Sequence, residues 1–332
     1  MRRRPFALTG SAVVVVLALA ACAPAVPTPA PAPAPVVAPA ALTPGQSSRV
    51  LEDLGTVLAA ADKKLDEDLL APRVEEPALS MRGAEYLRAD ATDGDRAPTT
   101  LPTTAAATIV PRTQDWPRTQ LVVTEQPADL QAPRILVLRQ DDPRSQYKLW
   151  GWSRLLPSIS MPRTAKPEVG SPVVAPDSDE LTVSPQDAID QYADVLTKGK
   201  KSSHDDAFEP NASRDEIEAL RARNEKAVKG SGTYDESYTP EGDPVVSLGT
   251  IDGGAIVVGQ LTALAKTTLT LDGATVPISD KFYQALSGKK TAKKSFVRTS
   301  TDIVVLYVPR KGSDEKMSVL AFESVITAAK AS

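Results

Sequence analysis

The chain has 332 residues, with 38 Lys and Arg against 42 Asp and Glu, one Cys, one His and 29 Pro. That length allows one large domain or two of ordinary size, and 42% hydrophobic with 24% charged residues favours a folded chain over a disordered one. A net charge of −4 argues against a nucleic-acid partner. A single Cys and a single His exclude a disulfide framework, a thiolate zinc cluster and a Cys-ligated iron–sulfur centre, so neither metal nor cofactor is expected.

Residues 1–21 read as a signal peptide. Arg2, Arg3 and Arg4 precede an uncharged, mostly apolar run from Phe6 to Ala21. As a helix that run spans roughly 24 Å, short of the ~30 Å hydrocarbon core. It ends in Leu19-Ala20-Ala21-Cys22, which resembles the bacterial lipobox. The resemblance implies cleavage before Cys22 and a diacylglyceryl thioether on its thiol. The expected location is the extracytoplasmic face of the cell membrane, with the lipid bilayer as first partner. Losing three Arg leaves 35 basic and 42 acidic groups, a net −7.

Residues 22–45 are expected to be a stalk. Eight prolines between Pro24 and Pro44, many alternating with Ala, lock φ and remove amide donors. An extended polyproline chain of that length would reach roughly 70 Å at ~3.1 Å per residue.

A first α+β domain is expected over 46–165. Val50, Leu51, Leu54, Val57, Leu58, Ala61 and Leu65 make one helical face, and Pro77-Ala78-Leu79 opens a second helix. Strand-like runs follow at 108–112, 120–125, 134–140 and 146–156, with prolines at their edges. Residues 166–180 continue a Pro-punctuated stretch that begins near Met161 and reads as a linker.

The order then restarts over 181–332. Ser184-Pro185-Gln186-Asp187 is a helix start, and Ser213-Arg214-Asp215-Glu216 is a second capping box. The helix it opens has a thinner stripe, Ile217, Leu220, Ala227 and Val228, interrupted by Asn224. Strands are expected at 245–250, 255–270, 275–278, 295–309 and 317–326, with a short helical turn at Lys281–Leu286. Helices grouped before strands favour α+β over a doubly wound sheet. Two tandem domains are expected, each with two helices on a curved antiparallel sheet, an order that resembles the NTF2-like or cystatin-like cone folds.

Five phrases carry a wider resemblance: Trp116-Pro117-Arg118, the run from Thr124 to Arg134, the run from Tyr147 to Trp152, the run from Tyr192 to Leu196, and the run from Gly253 to Gly259. Together they resemble actinobacterial cell-envelope lipoproteins of unknown function. That family brings no assigned activity, so no catalytic residue is implied.

Catalytic motifs are missing. His204 stands in a polar, Lys-rich loop with no Gly-x-Ser-x-Gly elbow in the chain. Asp90 to Asp95 fails the EF-hand pattern, because Gly94 falls at position five and Leu101 at twelve. Three Ser-x-x-Lys strings, at Ser145, Ser287 and Ser313, lack the Lys-Thr-Gly strand that would complete an acyl-transfer site. Trp150 and Trp152 share one face of a strand and offer either a binding platform or core filling. Two readings stay open: a non-catalytic binding or scaffolding lipoprotein whose partner is a cell-wall polymer or envelope protein, and a small-ligand carrier or enzyme using a cone pocket. Buried Asp, Glu and Tyr clustered at one cavity would favour the second.

Overall fold

The structure, a computed structural model, describes residues 37–127, 130–243 and 245–332. Cys22 and the signal peptide lie outside the described residues, as does the stalk up to position 36. Ala38–Ser332 forms one compact unit.

The first helix starts six residues before its apolar face does. α1 (Pro44–Lys64) is capped by Thr43, whose hydroxyl accepts from the Gln46 amide while the Gln46 side chain accepts from Thr43 N–H. Leu42 is buried, and Ala41 N–H donates to Pro111 O at 2.8 Å. Residues 40–45 therefore belong to the fold and not to the stalk. α2 (Ala78–Ala91) follows a short 3-10 turn at Glu67–Leu70. The strands of the first half are β1 (Ala105–Ile109), β2 (Pro111–Arg112), β3 (Arg118–Thr124), β4 (Arg134–Gln140) and β5 (Lys148–Leu155).

The expected linker is stitched to both halves. Its β6 (Ser171–Pro172) pairs with β2 in parallel, Val173 bridges Leu248, and Val174 N–H donates to Ser247 O at 2.9 Å. The second half holds α3 (Pro185–Lys198), α4 (Ala212–Val228), β7 (Gly232–Pro240), β8 (Val246–Gly249), β9 (Ala255–Leu269), β10 (Val276–Pro277), α5 (Lys281–Ser287), β11 (Thr291–Ala292), β12 (Ser295–Val308) and β13 (Ser318–Ala331).

Nine strands make one antiparallel sheet in the order β1-β3-β4-β5-β13-β12-β9-β7, with β8 on β9. The halves meet where β13 pairs β5, through Ala321 opposite Leu155 and Phe322 opposite Arg154. Sequence reading placed two separate sheets here. The hydrogen bonds run through the joint instead, because both bordering strands are apolar enough to be interior.

β12 sits mid-sheet between β9 and β13. Ile303 and Val305 face one core, which includes Leu136 and Trp152 from the first half. Val304 and Leu306 face the other, beneath α3. Alternation puts successive side chains on opposite faces, and both faces are covered, as the unbroken apolar run of β12 requires. α3 buries seven residues on the second face. Its Ile189 lies where a Cβ on Gly259 would stand, 2.7 Å from Ile189 Cδ1, so only glycine lets α3 approach this closely.

Candidate functional site

α4 is built differently from α3. Only Ser213 and Arg214 are buried along its length, and its apolar contribution is limited mainly to Ile217 and Leu220. Beneath it the sheet presents small side chains: Ala263 and Ala265 on β9 and Ser300 on β12. A thin helical stripe over a floor of methyls and a hydroxymethyl leaves a gap. It is a cavity of about 330 Å³, and its rim includes Arg154, Glu216 and Ser324.

Register fixes what surrounds it. Glu236, Ala265 and Arg298 form one cross-strand row; Tyr238, Ala263 and Ser300 form the next. In the third row Asp302 lies between Leu261 and Ser324. Glu236 is held by Arg221 of α4, Nε to Oε2 at 3.1 Å, and accepts from the Tyr238 hydroxyl at 3.4 Å. Glu323 enters from the joint between the halves and pairs with Arg134 at 2.7 Å. Burial pushes its carboxyl up to about 7 despite the favourable Arg134 charge.

Asp302 is the anomaly. It is fully buried, and among the described residues neither carboxylate oxygen has an ion-pair partner or a hydrogen bond of good geometry. Ser300 and Ser324 flank it and favour its charged form, yet burial dominates and pushes its pKa up to about 7. The nearby charges of Glu236 and Glu323 act in the same direction. Tyr192, Ser213 and Tyr238 add to this polar layer: among the described residues the hydroxyls of Tyr192 and Ser213 also make no hydrogen bond of good geometry, and burial raises the Tyr238 phenol. Orphaned buried groups are costly and call for an explanation.

The residues singled out from sequence sit elsewhere. Trp152 is fully buried and Trp150 is 8% exposed, so both fill the core and form no open platform. Asp93 is tied to Lys281 at 2.8 Å, and the Asp90–Asp95 loop gathers no ligand set. Among the described residues no group of three or more His, Cys, Asp and Glu could hold a metal ion. Ser145 donates to the neighbouring Asp142, and neither it nor His204 lines the cavity.

Sequence reading missed the strand that carries two of the cavity's residues. The segment Gly232-Thr233-Tyr234-Asp235-Glu236-Ser237-Tyr238 of β7 is polar and charged and carries no apolar run. Its signal was period two: Tyr234, Glu236 and Tyr238 alternate with outward residues. The cap of α4 also moved. Asn211, not Ser213, accepts from the Arg214 amide, which frees Ser213 to face the cavity.

Among the described residues no helix is long and apolar enough to cross a membrane. No curated protein and no solved structure matches the chain. The family model described as a domain of unknown function, DUF8094, matches residues 38–331, nearly the whole compact unit, and the chain belongs to that family.

Proposed function

We propose that this protein is a lipid-anchored, extracytoplasmic cell-envelope protein that binds a small polar ligand in the cavity beneath α4, without catalysing its conversion. The observation that carries the binding role is Asp302, buried and without a cationic partner among the described residues, beside a cavity of ligand size. Clustered Asp, Glu and Tyr favour a small-molecule carrier over a pure scaffold. The anchor rests on Leu19-Ala20-Ala21-Cys22 and the basic segment before it. Kinship with actinobacterial envelope lipoproteins belongs to the same reading, supported by the phrases quoted above. So does a tandem, cone-like origin of the halves, which the repeated order of two helices followed by antiparallel strands supports. A wall polymer or envelope protein would be the source or recipient of the ligand.

Two experiments test this reading. Metabolic labelling with a fatty-acid probe should mark the wild type and not Cys22→Ser; equal labelling defeats the anchor. Ligand-observed NMR with pooled short peptides, sugars, amines and carboxylates should reveal a binder that Ala263→Phe excludes by filling the cavity. Identical spectra for both proteins defeat the binding role.

A further inference from the structure

The charges around the cavity can be paired off one by one. Arg221 answers Glu236 and Arg134 answers Glu323, while Arg154 faces Glu216 at 3.9 Å. Two groups are left over. Among the described residues Asp302 has no cationic partner, and the Ser300 and Ser324 hydroxyls beside it make no hydrogen bond of good geometry to it. Arg298 lines the cavity and has no carboxylate partner among the described residues, its guanidinium lying 5.6 Å from the Tyr283 ring centroid. One unmatched acid and one unmatched base thus remain at the same site.

Their placement sets a length. Both lie on β12, four residues apart on the cavity-facing side, which at about 3.3 Å per residue separates their backbones by roughly 13 Å. Ser300 stands between them. Ser300 and Ser324 line the cavity in front of Asp302, so a cation placed at their hydroxyl oxygens would feel the carboxylate directly behind. A free amino acid, with its charges on one carbon, is too short to serve both ends. A chain of two or three residues, at about 3.3–3.6 Å each, spans the gap once the Arg298 side chain leans inward. Ile217, Leu220, Phe322 and Ile326 provide apolar contact for small side chains in between.

We propose that the ligand is a short peptide of two or three residues, bound with its free ammonium at Ser300 and Ser324 in front of Asp302 and its free carboxylate at Arg298. This inference rests on the cavity being a binding site. It adds the ligand's class and its orientation. Charge-assisted hydrogen bonds at both ends would supply the specificity, and the ammonium would remove the cost of leaving Asp302 unmatched.

The test is calorimetric titration of the full chain with trialanine, N-acetyl-trialanine, trialanine amide, free alanine and the neutral trisaccharide maltotriose. Trialanine is expected to bind, and blocking either terminus is expected to weaken it about tenfold or more. In Asp302→Asn the penalty for N-acetylation should vanish, and in Arg298→Gln the penalty for amidation should vanish. Should Asp302→Asn fold poorly, Ser324→Ala, at an exposed position, should shrink the N-acetylation penalty alone. Equal affinity for all three trialanine forms overturns the orientation. If maltotriose binds and Ala263→Phe blocks it while trialanine does not bind, the peptide assignment falls and the cavity reading stands. If no probe binds and the pooled NMR screen is also blank, both fall.

Discussion

Two buried polar clusters, one in each half of the described residues, are opposites. In the first half Arg82, 1% exposed, has every guanidinium nitrogen hydrogen-bonded. It grips Asp62 with two nitrogens at 3.0 and 2.6 Å, Glu85 at 2.7 Å and Thr99 O at 2.7 Å. Tyr86 closes the ring by donating to Asp62 at 2.6 Å. In the second half Asp302 has no such answer. A cluster closed on itself fixes α2 against α1 and the 92–100 loop. A cluster left open holds unspent capacity for hydrogen bonding beside a cavity. Burial alone marks neither as functional; the count of unmet partners separates them.

That contrast can be broken experimentally, and the largest effect belongs to the closed cluster. Arg82→Ala removes one of the two guanidinium partners of Glu85, itself 1% exposed, together with both contacts to Asp62, and should cost about 3–5 kcal/mol in urea melts. A loss under about 1 kcal/mol would mean that water replaces the guanidinium and that the cluster is not closed.

Next come the two faces of β12, which separate the clusters. Val305→Ala and Leu306→Ala should each destabilise by about 1–4 kcal/mol, from lost burial and the cavity left behind. Val305 abuts the core shared with the first half and Leu306 the core under α3. Neutrality at either position would show that face to be slack.

The open cluster should respond in the reverse sense. Asp302 and Glu323 both have folded-state pKa values raised to about 7 by burial, above the ~4 of an unfolded chain. Between about pH 4 and 7 the folded state therefore holds protons that the unfolded state has released. Stability falls as pH rises through that window and levels off above it. Asp302→Asn should flatten part of this slope and stabilise the protein at pH 8, read from thermal melts across pH. Destabilisation at pH 8 would show that the carboxylate has an internal partner after all. The smallest effect on stability is expected from Arg298→Gln, within about 0.5 kcal/mol at a half-exposed site, though this variant should be impaired in ligand binding.

Much of the architecture was legible from residue order. The stripe of α3 and its Ser184 cap gave its position, the edges of β4 and β12 fell within a residue of expectation, and the Lys281–Leu286 turn is α5. The continuous sheet was not legible, because strand pairing between Ala321 and Leu155 is a contact of long sequence separation with no local signature. The cavity escaped for a related reason. It is made by what is small, and Ala263, Ala265 and Ser300 look unremarkable until α4 is laid over them. Asp302 was invisible as well, since a lone acidic residue in an apolar strand gives no hint of how its neighbours fail to satisfy it.

Under the proposed binding role, the small-residue floor makes the size of an admissible ligand easy to inherit or to change. Converting an alanine codon to a valine codon takes one base substitution, and each such change at Ala263 or Ala265 would bring two extra methyl groups into the hollow while leaving the sheet's hydrogen bonds intact. Strain from such additions is small where an empty space receives them, in contrast to a filled core, where they cost about 1–3 kcal/mol. Duplicate copies of this gene could thus diverge in ligand size by single nucleotide steps while keeping the same scaffold.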